Sequence, residues 1–293
     1  MNPFGYEAPT SVDAAVALLA DREGRARPLA GGTDILVQLR QGRFDLDLLV
    51  DLKRIPELCR VTYDAGVGLT FGAAVTCAEL TEHAAVREHY PGLLDAATII
   101  GGTAIQQRAT LGGNLCNAAP SGDGISAMIA LGAEAVIAGP AGRRRVPVAS
   151  FCTAPGRTVL GRGEIVVALR LPPPLPHAGA AYVRMIPRGE MDIAVAGAGA
   201  WLRLTDDGAG IVDARVALAA VAPTPLLAAE AGAVLIGAAP TDEAFARAAA
   251  VAREATRPID DTRGTAAQRR HLVGVLVERS LRKAAARVKE RVS

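Results

Sequence analysis

A chain of 293 residues, half of them hydrophobic and only 3% aromatic, has material for roughly two domains with a core built mainly from Ala, Val, Leu and Ile. Its 32 basic and 30 acidic side chains leave a net charge of +2, which argues against a nucleic-acid or membrane-surface binder, since both classes carry a basic excess. The start MNPFGYEAPTSVDAAVALLA lacks a basic lead and long apolar core, and the longest uncharged stretches, such as residues 216–229, are too short to span a bilayer. The expectation is a soluble, cytoplasmic protein with no nucleic-acid partner and no membrane insertion.

In chain order, SVDAAVALLA (11–20) reads as a helix with Ser11 as N-cap and Asp13 in its first turn. ARPLAGG is a short strand entering a glycine turn, TDILVQLRQG a helix stopping at Gly42, and LDLLVDL a buried strand, which together make strand, helix, strand in about 30 residues. IPEL begins a further helical turn. Val61, Tyr63, Val67, Leu69 and Phe71 alternate around a Gly-rich turn, the pattern of a hairpin. Thr76 caps a helix over CAELTEHAAV, and a second apolar helix over 92–107 breaks near Gly101-Gly102. GISAMIALGA is helical, EAVIAGPAGRRRVPVASF a second hairpin and EIVVALRLP a strand. The proline cluster in LPPPLPHAGA (171–180) cannot continue a helix or a central strand and marks a domain boundary. Beyond it come three strands (AAYVRMI, IAVAGAGAWLRLT, IVDARVALAAVA) and two helices, the last N-capped by Thr265, so the second domain reads as a layered α+β unit.

Cys59, Cys77, Cys116 and Cys152 are scattered, with no C-x-x-C spacing, whereas a zinc or iron–sulfur site needs clustered thiolates. The sequence therefore predicts reduced, mostly buried thiols and no metal site, and places any metal centre on another chain. The four histidines (His83, His89, His177, His271) are equally scattered, and no catalytic constellation is visible.

Two stretches share one design. LAGGTDI begins at Leu29, and TLGGNLCNAAPSGD runs from Thr110 to Asp123. Adjacent glycines let backbone approach a ligand and bare its N–H groups, successive N–H groups make an anion nest, and a helix N-terminus adds its positive end. Either pair alone is most often only a turn. Asn114 then merely caps a turn, and Asp123 merely starts a helix. A pyrophosphate has oxygens enough to occupy both.

The pair, with the longer stretch IIGGTAIQQRATLGGNLCNAAPSGD, the strand GEIVVALRLP, the segment RMIPRGEMDIAVAG and the C-terminal RPIDDTRGTAAQRRHLVGVLVERSL, resembles the FAD-binding medium subunits of the molybdenum hydroxylases, the type found in carbon monoxide and xanthine dehydrogenases. The resemblance runs from Pro9 to about Lys283. It implies an α+β fold: a two-subdomain PCMH-type FAD-binding domain over 1–172, divided at about 57/58, then an α+β domain over 178–285 with a three-stranded antiparallel sheet packed with helices. It also implies that Leu29, Ala30, Gly31, Gly32, Thr33, Asp34 and Ile35 line the FAD pyrophosphate from one side, and Thr110, Leu111, Gly112, Gly113 and Asn114 from the other. Asp123 falls where the family has an acid near the ribose and adenine end, Val166 at an apolar position against the adenine, and Arg184 at a basic position beside the flavin's polar edge. Ile100 and Ile193 fall at positions covering the two faces of the ring. Read without the resemblance, Ile100, Val166 and Ile193 are core residues of any fold, Arg184 is a solvated strand residue, and Asp192 and Arg188 pair on the surface. The chain departs from the family's Gln-Ile-Arg-Asn-Arg run: Arg108 keeps the second arginine, and Gln106 replaces the first.

The implied function is electron transfer, with FAD carrying the redox chemistry and the protein supplying binding, orientation and electrostatics. Arg184 would stabilise a reduced, anionic flavin. Electrons would arrive from a molybdopterin cofactor on a large partner subunit through two [2Fe–2S] clusters on a small one, and leave to NAD+, a quinone or another acceptor, in a dimer of heterotrimers. Two rivals stay open: a free-standing FAD-dependent oxidoreductase of the same superfamily, and an interaction module in which both glycine pairs are only turns.

Overall fold

The computed structural model describes residues 3–21 and 25–292, and the side chains of all of these but residues 291 and 292. The chain opens with β1 (Gly5–Glu7), α1 (Val12–Asp21), β2 (Ala26–Leu29), α2 (Ile35–Arg40) and β3 (Leu48–Asp51). The three strands make a parallel sheet in the order β1-β3-β2. Central β3 is buried at every position, with apolar Leu48, Leu49 and Val50 as expected inside a parallel sheet and Asp51 buried at its end. In α1, Val12, Ala15, Val16 and Leu19 recur at helical spacing and pack on Ala26, Leu48 and Val50, while Ser11 Oγ accepts the Ala14 N–H at 3.3 Å. The strand–helix–strand reading therefore holds, with β1 added to it.

Two short 3₁₀ turns (52–54 and 56–59) lead into the hairpin β4 (Val61–Asp64) and β5 (Gly68–Gly72). A helical stretch follows: α3 (Cys77–Glu82), α4 (Ala84–His89), α5 (Pro91–Ala97), α6 (Thr103–Gln106), α7 (Leu111–Asn117) and α8 (Asp123–Ala130). Thr76 caps α3 in a capping box with Glu79. The single helix expected over residues 77–86 is instead two, because His83 takes an extended conformation (φ −69°, ψ 122°) and turns the axis. The chain then returns through β6 (Glu134–Gly139), β7 (Gly142–Pro147), the small hairpin β8 (Cys152–Ala154) and β9 (Arg157–Thr158), and β10 (Ile165–Leu171). The resulting antiparallel sheet has the order β4-β5-β10-β6-β7. Leu69, Phe71, Leu93, Leu115, Ile125, Met128 and Leu169, all fully buried, fill the core between this sheet and the helices.

The prolines at 172–174 and 176 run without regular structure to β11 (Ala178–Met185). β12 (Ala196–Leu204) and β13 (Ile211–Ala219) complete the expected antiparallel strands, and β14 (Leu226–Leu227) adds a two-residue edge. α9 (Ala229–Ala233), α10 (Asp242–Glu254) and the long α11 (Ala266–Val292) cover one face. The other face meets α5 and α8. β11 and β12 meet α11 with small residues, and a Cβ on Gly179 would lie 2.1 Å from the Ala284 carbonyl oxygen. α11 is latched to α5 as well: Lys283 Nζ and Arg287 Nη1 donate to Asp95 at 2.8 and 2.6 Å. Burial alone would raise the Asp95 carboxyl, but Arg287, Lys283 and the Tyr182 N–H hold it below its usual value.

Candidate functional site

The first glycine segment follows β2 at the carboxyl ends of the parallel strands, where open sheets leave a crevice. Gly32 has φ +88°, a conformation side chains rarely adopt. Gly31 is required for another reason: a Cβ there would lie 1.8 Å from the Arg108 carbonyl oxygen. Among the described residues, no hydrogen bond takes the N–H of Gly31, Gly32, Thr33 or Asp34, while the Leu36 N–H donates to the Gly32 carbonyl at 3.2 Å and opens α2. The segment is held from beneath. Lys53 Nζ donates to the Ala30 carbonyl at 3.2 Å and to Asp51 Oδ1 at 2.6 Å, and the Tyr6 hydroxyl donates to Asp51 Oδ2 at 2.5 Å. Burial would raise the Asp51 carboxyl, but the hydrogen bonds from Lys53 and Tyr6 set it below its usual value.

The second pair is not a turn, as its sequence suggested, but the first turn of α7. Thr110 is the N-cap: its Oγ1 accepts the Gly113 N–H at 2.8 Å, and its carbonyl accepts the Asn114 N–H at 2.9 Å. Leu111 and Leu115, both fully buried, anchor that turn to the core. The capping hydroxyl and two leucines outweigh the low helix propensity of two glycines. Gly112 presses on Ala73, the residue after β5, where a Cβ would lie 2.5 Å from the carbonyl oxygen. Asn114 Oδ1 is buried and accepts no hydrogen bond, and it faces the start of α8.

The fold brings the two segments together. Gly31 lies on Arg108 and Ala109, directly before the Thr110 cap, and Gln38 Nε2 of α2 donates to Asn117 Oδ1 of α7 at 2.9 Å. The Arg108 side chain is exposed, with no hydrogen bond among the described residues. Gln106, the residue that departs from the family pattern, donates to the Thr98 carbonyl at 2.7 Å and ties α6 to the end of α5.

A third group lies at the start of α8. Asp123 is 7% exposed and accepts from the Tyr182 hydroxyl at 2.6 Å and from Arg184 Nη1 at 2.5 Å. Arg184 Nη2 donates to the Ile99 carbonyl at 2.8 Å. Burial pushes the Asp123 carboxyl up, against the pull of Arg184 and Tyr182. Ile100 is half-buried beside Gly124, and the exposed Met191 overlies Gly102, two residues before the exposed Ile193. Arg188 Nε lies 3.3 Å from the Asp192 carboxylate as an ion pair and Arg188 Nη2 donates to the Met191 carbonyl at 2.9 Å, while Asp192 accepts from the Ile193 N–H at 2.7 Å, so the expected Arg188–Asp192 pair shapes this loop. Val166 is 3% exposed and belongs to the core cluster of Leu111 and Leu115.

Asp123 and Arg184, expected near the ribose–adenine end and the flavin edge of the cofactor respectively, are joined to each other in the fold by a 2.5 Å hydrogen bond. Sequence reasoning passed over four residues. Lys53, Asp51 and Tyr6 were unmarked by any motif, although Lys53 and Asp51 close the central strand beside the glycine loop. Tyr182 stands two residues before Arg184 on β11, and strand alternation already put both side chains on one face. The cysteines are free; Cys77 is buried and Cys116 and Cys152 are half-buried, but Cys59 is exposed, contrary to the mostly buried reading. Among the described residues, no three His, Cys, Asp or Glu side chains cluster as a metal site would require, and no helix is long and apolar enough to cross a membrane.

Residues 2–174 match the family described as the FAD binding domain in molybdopterin dehydrogenase, and residues 181–284 match the CO dehydrogenase flavoprotein C-terminal domain. The xanthine dehydrogenase FAD-binding subunit of Escherichia coli O157:H7 is 38% identical over 222 residues, 75% of each chain. The carbon monoxide dehydrogenase medium chain of Afipia carboxidovorans is 34% identical over 286 residues, 98% of each. In three dimensions, a chain of the carbon monoxide dehydrogenase of Hydrogenophaga pseudoflava superposes with a TM-score of 0.93 at 35% identity, over 98% of this chain and 99% of that one. The chain therefore belongs to the FAD-binding subunits of the molybdenum hydroxylase family and is an oxidoreductase subunit.

Proposed function

We propose that this chain is the electron-transfer subunit of a molybdenum hydroxylase, in which bound FAD supplies the redox chemistry linking [2Fe–2S] clusters on a small partner subunit to an external acceptor such as NAD+ or a quinone. The observation that carries the reading is the meeting of the two glycine segments, one resting on the residues that lead into the other, with N–H groups left unpaired in the first. Such a cradle of free N–H donors fits a pyrophosphate, whose oxygens are acceptors.

In this reading Leu29 to Ile35 and Thr110 to Asn114 grip the pyrophosphate from two sides. Arg184 and Asp123 meet the flavin end, where Tyr182 fixes the carboxylate. Ile100 and Ile193 cover the ring and exclude water, and Val166 backs the site from the core. No residue acts as a general acid or base. Residues 1–172 form the FAD-binding unit, with subdomains at about 1–57 and 58–172, and residues 178–285 the C-terminal unit. The partners are a large molybdopterin-binding subunit and a small [2Fe–2S] subunit, assembled in the cytoplasm as a dimer of heterotrimers.

The test is the visible spectrum of natively purified material, with the released cofactor identified. Released FAD, together with iron, molybdenum and two companion chains, is the expected result. Flavin without companions would point to a free-standing oxidoreductase, and no flavin even after FAD is added would overturn the reading.

A further inference from the structure

A second cavity lies away from the glycine segments, between the proline run and the C-terminal sheet. Its volume is about 220 Å³, larger than the roughly 150 Å³ that suffices to hold a benzene ring. Pro172 to Pro174 form one wall, and Leu131 and Trp201 form another. Proline rings fix their own backbone, and the Tyr90 hydroxyl donates to the Pro172 carbonyl at 2.9 Å, so the proline wall is preformed.

The polar side chains of the lining are His89, Tyr90, Asp213 and Arg215, and of the last two Arg215 is the cation. Its guanidinium lies 4.1 Å from the centroid of the Trp201 ring. On its other side, a Cβ on Gly132 would lie 2.4 Å from Arg215 Nη1, so the glycine leaves room for the side chain. Stacking uses the face of a guanidinium and leaves its N–H edge free. Among the described residues, the Arg215 side chain makes no hydrogen bond, and its Nε is buried without an acceptor. Burial lowers the Arg215 pKa, partly offset by the nearby Asp213 carboxylate. Asp213 lines the same cavity yet accepts nothing from Arg215. A held, partly desolvated fork of donors beside apolar, ring-sized space is what a bidentate carboxylate site needs. Asp213 is free to accept from a hydroxyl or amino substituent.

We propose that this cavity binds a small planar organic acid, its carboxylate taken by the Arg215 fork and its ring held between the linker prolines and Leu131. The site is independent of the FAD reading, because none of its lining belongs to the glycine segments, to Asp123 or to Arg184.

Trp201 is the chain's single tryptophan, so its fluorescence reports on the cavity wall directly. The experiment titrates the full chain, with and without added FAD, with benzoate, and with benzyl alcohol as a neutral probe sharing the ring. A saturable change with benzoate is expected, at least tenfold weaker for benzyl alcohol and at least tenfold weaker in Arg215→Met, in both FAD conditions. No saturable response to benzoate overturns the proposal. Equal binding of benzyl alcohol, or unchanged benzoate binding in Arg215→Met, overturns the assignment to Arg215. If the methionine variant fails to fold, the contrast between the two probes on the wild-type chain decides alone.

Discussion

Gly31-Gly32 and Gly112-Gly113 look alike in sequence and are held by unlike means. The first pair sits in an open loop whose carbonyl at Ala30 is pinned by a charged side chain, Lys53, itself anchored on Asp51. The second sits in a helical turn closed by a neutral hydroxyl, that of Thr110. Within each pair the glycines also differ. Gly31 and Gly112 lack a side chain because neighbouring backbone occupies the space, whereas Gly113 faces only Thr110 Oγ1, 3.0 Å from where its Cβ would be. A doubled glycine is therefore not one requirement repeated: Gly31 and Gly112 serve packing of the chain on itself, Gly32 a left-handed backbone, and Gly113 keeps open the space beside the Thr110 hydroxyl.

Four substitutions break this comparison apart, and the largest effect belongs to Gly31→Ala. Its Cβ would drive into the Arg108 carbonyl and part the two segments. Thermal unfolding should show a loss of about 3 kcal/mol, at the upper end for overpacking, and FAD content should fall to background. A variant with wild-type FAD content would show that the segments need not touch.

Lys53→Met should come next, with FAD affinity reduced roughly tenfold and about 1–2 kcal/mol of stability lost with a charge-assisted, partly buried pair. This effect carries a pH signature. The folded Asp51 carboxyl lies below its usual 3.8, so its contribution is full above that value and disappears as the pH falls through the lower folded value. Acid titration of FAD release should therefore be steeper in the wild type than in Lys53→Met. Identical titrations would remove the ion pair from the account of the loop.

Gly113→Ala separates fold from grip. Alanine favours a helix over glycine by about 1 kcal/mol, so the FAD-free chain should unfold at the same temperature or slightly higher, while FAD affinity drops about tenfold. Equal affinity would mean that nothing approaches Gly113 from outside. The smallest effect is expected from Thr110→Val, about 1 kcal/mol for a lost N-cap, with no dependence on pH between 4 and 8. A pH-dependent loss would contradict the neutral cap.

The fold was legible wherever a period was long enough to read. The apolar spacing of α1, the alternation of β4 and β5, and the apolar Leu48, Leu49 and Val50 of β3 each named their element. β1 escaped notice because its three residues are all exposed and show no alternation. The break at His83 carries neither glycine nor proline, and the helical start at Gly112-Gly113 depends on a cap and on buried leucines that outweigh propensity. In the site, the glycine segments were visible as motifs. The joining of Asp123 to Arg184 was not, since 61 residues separate them and only the packing of α8 on β11 brings them together.

The small residues of β11 and β12 have a thermodynamic consequence. Alanine and glycine have no rotamers to surrender on burial, so the small residues of this sheet lower the entropic cost of seating α11, whose own Leu276, Leu281 and Val288 still lose theirs. What returns is dispersion from main chain lying almost against main chain, with Gly179 under the Ala284 carbonyl as its tightest point. A chain poor in aromatic rings thus gains cohesion through nearness where other proteins use bulk, and at Gly179 the atom nearest an added methyl group is a backbone carbonyl that cannot swing aside.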